Sequence, residues 1–97
     1  MRERDIERYL VRRVKELGGE IRKVKWIGRR GAPDRVVMLP WRLVGNVHRK
    51  PLSVWVELKA TGKKPELYQL REHERMQRRG MHVVWLDSRE TVDALLA

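Results

Sequence analysis

Cysteine is missing from all 97 residues. Its absence excludes a disulfide framework, cysteine-ligated zinc and thiol nucleophiles, and it fits a reducing compartment. Long apolar runs are missing as well: no stretch approaches the roughly 20 residues that span a bilayer. The first residues, Met1-Arg2-Glu3-Arg4-Asp5, are charged at almost every position, which is unlike the apolar stretch of a signal peptide. No internal repeat, low-complexity segment or linker divides the chain. These absences together describe a single domain over residues 1–97 in the cytoplasm, with no membrane partner.

Acidic residues are few. Thirteen Asp and Glu stand against 23 Lys and Arg, giving a formal net charge of +10. Such a balance favours a polyanionic partner, nucleic acid before an anionic membrane surface. Arginine supplies most of the charge, and its guanidinium suits bidentate contact with phosphate. The plainer alternative is a generic basic surface. Hydrophobic residues make up 41% of the chain, enough for one modest core and too many for a disordered tail.

The apolar pattern predicts seven elements. Residues 2–17 read as a helix, with Ile6, Leu10, Val14 and Leu17 on one stripe and Gly18-Gly19 as its end. Residues 20–27 read as a strand with one charged face, and 28–34 as a loop by Gly and Pro content. Arg29 and Arg30 make that loop either a phosphate clamp or an ordinary basic turn. A strand over 35–39 ends at Pro40. Residues 40–52 are the least legible, with a possible hairpin tip at Gly45-Asn46. The next strand, 53–59, is followed by a basic loop and a helix over 65–79, with Leu67, Leu70 and Met76 expected to face inward. His82–Leu86 forms a last strand, Asp87 with Glu90 a capping box, and 88–96 a last helix. The order is α-β-β-β-α-β-α, an α/β fold. A meander of the first three strands and a parallel crossover to the fourth give a mixed four-stranded sheet flanked by helices.

Ser53-Val54-Trp55-Val56-Glu57-Leu58-Lys59 stands out. Val54, Val56 and Leu58 fall on one face of the strand; Trp55, Glu57 and Lys59 fall on the other. Burying such charges is costly unless they are paired or bound. Pro33-Asp34 places a second carboxylate at the mouth of the preceding strand. Phosphodiester cleavage needs an ion for the scissile phosphate and water, and an offset for developing negative charge. Mg²⁺ prefers oxygen ligands, typically one or two carboxylates plus waters. Asp34 and Glu57 would serve if their strands are neighbours, and the Leu58 carbonyl could add an oxygen. Lys59 shares Glu57's face, where it could orient water or neutralise charge. Pro-Asp alone is ordinarily a turn, and Glu-x-Lys alone an exposed ion pair; their combination on two apolar strands of a basic chain is what points to a metal-dependent site.

Pro33-Asp34 … Glu57-Leu58-Lys59 resembles the signature of the PD-(D/E)XK nucleases, and the element order resembles their restriction-endonuclease-like core. The likeness is closer to the VRR-NUC (virus-type replication-repair nuclease) branch and covers nearly the whole chain. It takes in the Glu-bearing first helix ending in Gly18-Gly19, Gly31-Ala32-Pro33-Asp34-Arg35, Glu57-Leu58-Lys59-Ala60, Gly62-Lys63-Lys64-Pro65 and Gln69. The resemblance implies a Mg²⁺-dependent DNA endonuclease, with Mn²⁺ as a substitute and no small-molecule cofactor. Asp34, Glu57 and the Leu58 carbonyl would hold metal, Lys59 would be the catalytic lysine, and Gln69 would match the family's helix glutamine beside the active site. A first-helix acid completes the family's site. Glu7, eleven residues before Gly18 as in archaeal Holliday junction resolvases, is the choice, and Glu3 the reserve. The implied activity is a junction resolvase acting as a homodimer on four-way or otherwise branched DNA, of a phage or bacterial type with a role in DNA repair. A nicking or flap nuclease, and an inactive basic DNA-binding module, are the alternatives.

Other features carry less. His48, His73 and His82 lie in three different predicted elements and make no zinc motif. Trp26, Trp41, Trp55 and Trp85 could stack on bases, although strand tryptophans are ordinarily core or half-buried; Trp55 shares the face of Glu57 and Lys59. Arg71, Arg75, Arg78 and Arg79 could follow DNA backbone, or form a solvated face with Glu72 and Glu74 as partners.

Overall fold

A computed structural model describes residues 1–97. The first helix, α1 (Glu3–Glu16), forms because Ile6, Leu10 and Val14 recur on one stripe, and all three are fully buried. Each such side chain contributes ~1.5–3 kcal/mol relative to exposure. The helix ends in two glycines that act for different reasons. Gly18 takes a left-handed φ of +76° and lets its N–H and that of Gly19 donate back to Lys15 O and Val14 O. A Cβ on Gly19 would lie 2.6 Å from the Met38 carbonyl oxygen, so only glycine lets the chain enter the sheet so close to its neighbour.

The main sheet contains β1 (Glu20–Lys23), β2 (Arg35–Leu39), β5 (Leu52–Leu58) and β6 (Val83–Leu86), in the order β1-β2-β5-β6. The first two pairings are antiparallel and the third is parallel. The crossover runs through α2 (Leu67–Arg78). This is the mixed sheet and the element order expected from sequence, with one addition. Between β2 and β5, β3 (Arg42–Val44) and β4 (Val47–Arg49) form a separate two-stranded hairpin turning at Gly45. Leu43 and Val47 on it stay exposed, as does Trp41 beside it.

One face of the sheet carries the apolar core. Val37, Leu39, Val54, Val56, Leu58 and Leu86 pack with Ile6, Leu10 and Val14 of α1 and with Val92 and Leu96 of α3 (Arg89–Leu96). The opposite face bears Trp55, Glu57 and, from β6, Val83 and Trp85 by register, and α2 lies over it.

Three expectations need correction. The strand expected over 20–27 ends at Lys23, because β2 begins only at Arg35 and offers no ladder beyond; Val24 N–H makes one last bond to Asp34 O. The last helix is capped by Ser88, not Asp87. Ser88 Oγ accepts from Thr91 N–H, and Thr91 Oγ1 accepts from Ser88 N–H, so Thr91 takes the part expected of Glu90. In α2, Leu67 and Leu70 point outward, 61% and 40% exposed, Met76 is half-buried, and the buried residues are Glu72 and His73. The helix turns its polar side inward because what it covers is not core but the carboxylate-bearing face of β5.

Candidate active site

The β2–β5 register pairs Arg35 with Val56. One step further along both strands sets Asp34 opposite Glu57, on the face away from the core. Directly opposed antiparallel side chains have Cβ atoms ~4.5–5.5 Å apart. Glu57 is largely buried; Asp34 is half exposed. Burial pushes the Glu57 carboxyl up from 4.5 to about 7; the Asp34 charge pushes it the same way, Lys59 opposes, Glu3 adds a further upward push, and Arg35 opposes. Lys59 follows the last residue of β5, with its N–H bonded to Leu86 O, so its backbone continues the strand past Glu57.

The first-helix acids are placed very differently. Glu7 is tied to Arg35, whose guanidinium is only 11% exposed and also holds Asp34 Oδ1 at 2.9 Å. Arg35 therefore bridges Glu7 and Asp34, and its own pKa is raised by these carboxylates against the opposing effect of burial, the largest single influence. Glu7 lies behind Asp34, on the core side of the sheet. Glu3 is the acid whose charge is felt at Glu57. A backbone hydrogen bond from Thr61 N–H to Met1 O, 3.0 Å long, draws the start of α1 onto the loop that follows β5.

Gln69 sits in the first turn of α2. Its Oε1 accepts from Glu66 N–H at 2.7 Å, capping α2. The turn before Asp34 packs directly on this end of the helix: Gly31 has φ +88°, and a Cβ there would meet Tyr68 O at 3.0 Å. Both loop arginines are committed to α2. Arg29 Nε is 3.0 Å from Glu72 Oε2, and Arg30 sits 4.0 Å above the Tyr68 ring. They fasten the Pro33-Asp34 turn to the helix. Arg78 pairs with the exposed Glu74, as the solvated-face alternative has it, whereas Arg75 pairs with Glu72, which is buried.

His73 is the residue that sequence reasoning passed over. It is buried against Glu57, with Nε2 at 3.9 Å from Oε1 and no hydrogen-bond partner. Burial lowers its pKa and so favours the neutral ring, Glu72 opposes and Lys59 adds. The sequence signal was present: His73 and Glu72 occupy the inward positions of a helix whose leucines lie elsewhere.

The donor set fits a hard divalent cation. Two carboxylates face each other, and one is driven towards its protonated form. A cation there would relieve the repulsion and lower the Glu57 pKa. No three His, Asp or Glu side chains converge on one point here.

No model of a known protein family matches the chain. Among curated proteins it is 43% identical over 97 residues to the protein named "Putative nuclease p44" of Acyrthosiphon pisum secondary endosymbiont phage 1, covering 100% of this chain and 95% of that one. Among solved structures it superposes on a chain described as "VRR_NUC domain" with a TM-score of 0.76 and 39% identity, over 97% of this chain and 92% of that one.

Proposed function

The chain belongs to the VRR-NUC nuclease family, and on that premise we propose that it is a Mg²⁺-dependent, structure-selective DNA endonuclease that acts on branched DNA, four-way junctions first, as a homodimer. The carrying observation is the opposition of Asp34 and Glu57 across β2 and β5, with Glu57 held near a pKa of about 7 and Lys59 two residues on. When bound, the ion supplies Lewis-acid activation of water and of the scissile phosphate.

The chain's own residues do the rest. Asp34, Glu57 and the Leu58 carbonyl would hold the ion. Lys59 donates to the scissile phosphate and offsets its growing charge. Of the two first-helix acids, Glu3 is the better placed to complete the site, since Glu7 is spent on Arg35. Gln69, which caps the N-terminus of α2, holds that end of the helix against the Asp34 turn. His73 keeps the Glu57 carboxylate walled from water on the α2 side. Support for a DNA substrate comes from the +10 charge and exposed basic side chains around the site. Support for a dimer comes from apolar residues left exposed, Trp41, Leu43 and Val47 on and beside the hairpin and Leu67 on α2; a two-fold pair of sites suits paired cuts.

The deciding experiment gives purified protein and Mg²⁺ a labelled four-way junction, a flap and a matched linear duplex, with Lys59→Ala as control. Paired symmetric cuts in the junction alone, absent in the variant, are expected. Cutting of the flap, or of all three, would keep a nuclease and discard the junction preference. Binding without cutting under Mg²⁺ or Mn²⁺ would leave a DNA-binding module.

A further inference from the structure

Beside β1 opens a cleft of about 560 Å³, with Lys23, Lys25, Trp26, Arg29 and Asp34 among its walls. It forms where β1 gives out. After the Val24–Asp34 hydrogen bond the chain leaves the sheet, and Trp26 turns back across it. Two independent contacts fix the indole. Its Nε1–H donates to Pro33 O at 2.8 Å, and its ring lies 5.1 Å from Trp55 at an interplanar angle of 50°. The ring is thus rigidly tied to the residue preceding Asp34, yet it remains 37% exposed.

The cations around it differ in kind. Arg29 is held by Glu72. Lys23 and Lys25 have neither ion-pair nor hydrogen-bond partners on their side chains, and both are exposed. An immobile aromatic surface flanked by two free ammonium groups is the combination by which proteins hold unpaired nucleotides: the ring stacks a base, and the cations take the flanking phosphates. In an intact duplex each base already stacks between its neighbours and cannot reach a ring set in a cleft.

We propose that this cleft binds one unpaired nucleotide of the DNA, its base stacked on Trp26 and its phosphates on Lys23 and Lys25, so that the adjoining phosphate is delivered to Asp34 and Glu57. Trp26 is then a specificity-determining residue that selects DNA with an unpaired or splayed nucleotide beside the cut. The proposal rests on the nuclease assignment and narrows its substrate class.

The test measures binding alone, in EDTA, by fluorescence anisotropy. The probes are a labelled short oligothymidylate and a matched oligomer of abasic sugars, which keeps the phosphates and removes the bases. The wild-type protein should prefer the oligothymidylate by roughly ten-fold. Trp26→Phe should retain most of that preference, and Trp26→Leu should bind both probes equally, at the wild-type affinity for the abasic one. Lys25→Ala should weaken both by the same factor. If Trp26→Leu does not fold, Trp26→Met replaces it, keeping packing against Trp55 without a π face. Equal binding of the two probes by the wild type, or a preference that survives Trp26→Leu or Trp26→Met, overturns the proposal. Because no metal is present, the two assignments fail separately. Cleavage without a base preference removes only the Trp26 role, and a base preference without cleavage removes only the nuclease.

Discussion

Replacing Glu57 with glutamine should abolish cleavage and yet make the metal-free protein more stable at neutral pH. In the unfolded chain this carboxyl loses its proton near 4.5; in the folded one it keeps it to about 7, because burial and the Asp34 charge disfavour the anion. Between those values the folded state holds a proton that the unfolded state has released. Rising pH therefore favours unfolding, at ~1.4 kcal/mol per pH unit. The full span comes to roughly 3 kcal/mol, all of it lost by pH 7 and level above. Glutamine keeps the shape and carries no charge, so it escapes this loss. His73 acts with the opposite sign: its lowered pKa gives stability that is present above 6.5 and lost as pH falls through the folded-state value. It partly masks the Glu57 slope in wild type. The assay is urea unfolding followed by circular dichroism in EDTA, across the pH range between the two Glu57 values. The stability gap should open from near zero to a few kcal/mol in favour of Glu57→Gln, then stay constant. Saturating Mg²⁺ at pH above 7 should reverse the order, since ligand binding stabilises only the wild type. A gap that does not change with pH, or a wild type that is the more stable in EDTA at neutral pH, would refute the picture of a carboxylate strained by its site.

Glu3→Gln should reduce Mg²⁺-dependent cleavage at least ten-fold with little change in melting temperature, whereas Glu7→Gln, which deprives a largely buried guanidinium of one partner, should cost about 1–3 kcal/mol and spare most of the activity at low temperature; the reverse pattern in paired melting and cleavage assays would return the acid's role to Glu7. Gly31→Ala forces a side chain into a left-handed backbone against Tyr68, at a cost of about 2 kcal/mol, seen as a melt lower by roughly 8–16 °C for a chain of this size, with cleavage further impaired because the Asp34 turn rides on the same contact. Ser88→Ala should cost about 1 kcal/mol and Glu90→Ala almost nothing, as read by urea midpoints; equal costs would restore the Asp87–Glu90 box.

The sheet was legible because its strands follow the simplest rule: Val54, Val56 and Leu58 alternate with Trp55 and Glu57, and the structure buries the first set in the core. Asp34 and Glu57 could be paired in advance only through motif, since a register is a long-range property that no local pattern states. The first-helix acid shows the same limit. Glu3 and Glu7 are one turn apart and indistinguishable by periodicity; what separates them is Arg35, whose core-side orientation follows from the β2 register and captures Glu7. The inward face of α2 was misjudged because leucines were assumed to seek the core. Glu72 and His73 go inside instead, satisfied or left waiting by groups on β5 and the Arg29 loop. The Ser88 cap was missed by one residue because Asp87 and Ser88 are both good caps, and the backbone turn decided between them.

That reversed helix has a dynamic consequence. An element held by its ion pair to Arg29 and one packed edge, rather than by an apolar stripe, has little to lose when it lifts. Among the elements, α2 packs chiefly on β6, while α1 joins β1, β5 and α3. Its backbone amides should exchange with deuterium well before those of α1, through local opening rather than global unfolding. Each such opening hydrates Glu57 and removes the burial that holds its proton. Access to the site and release of the Glu57 proton are thus one event, and its frequency is set by how firmly Glu72 grips Arg29.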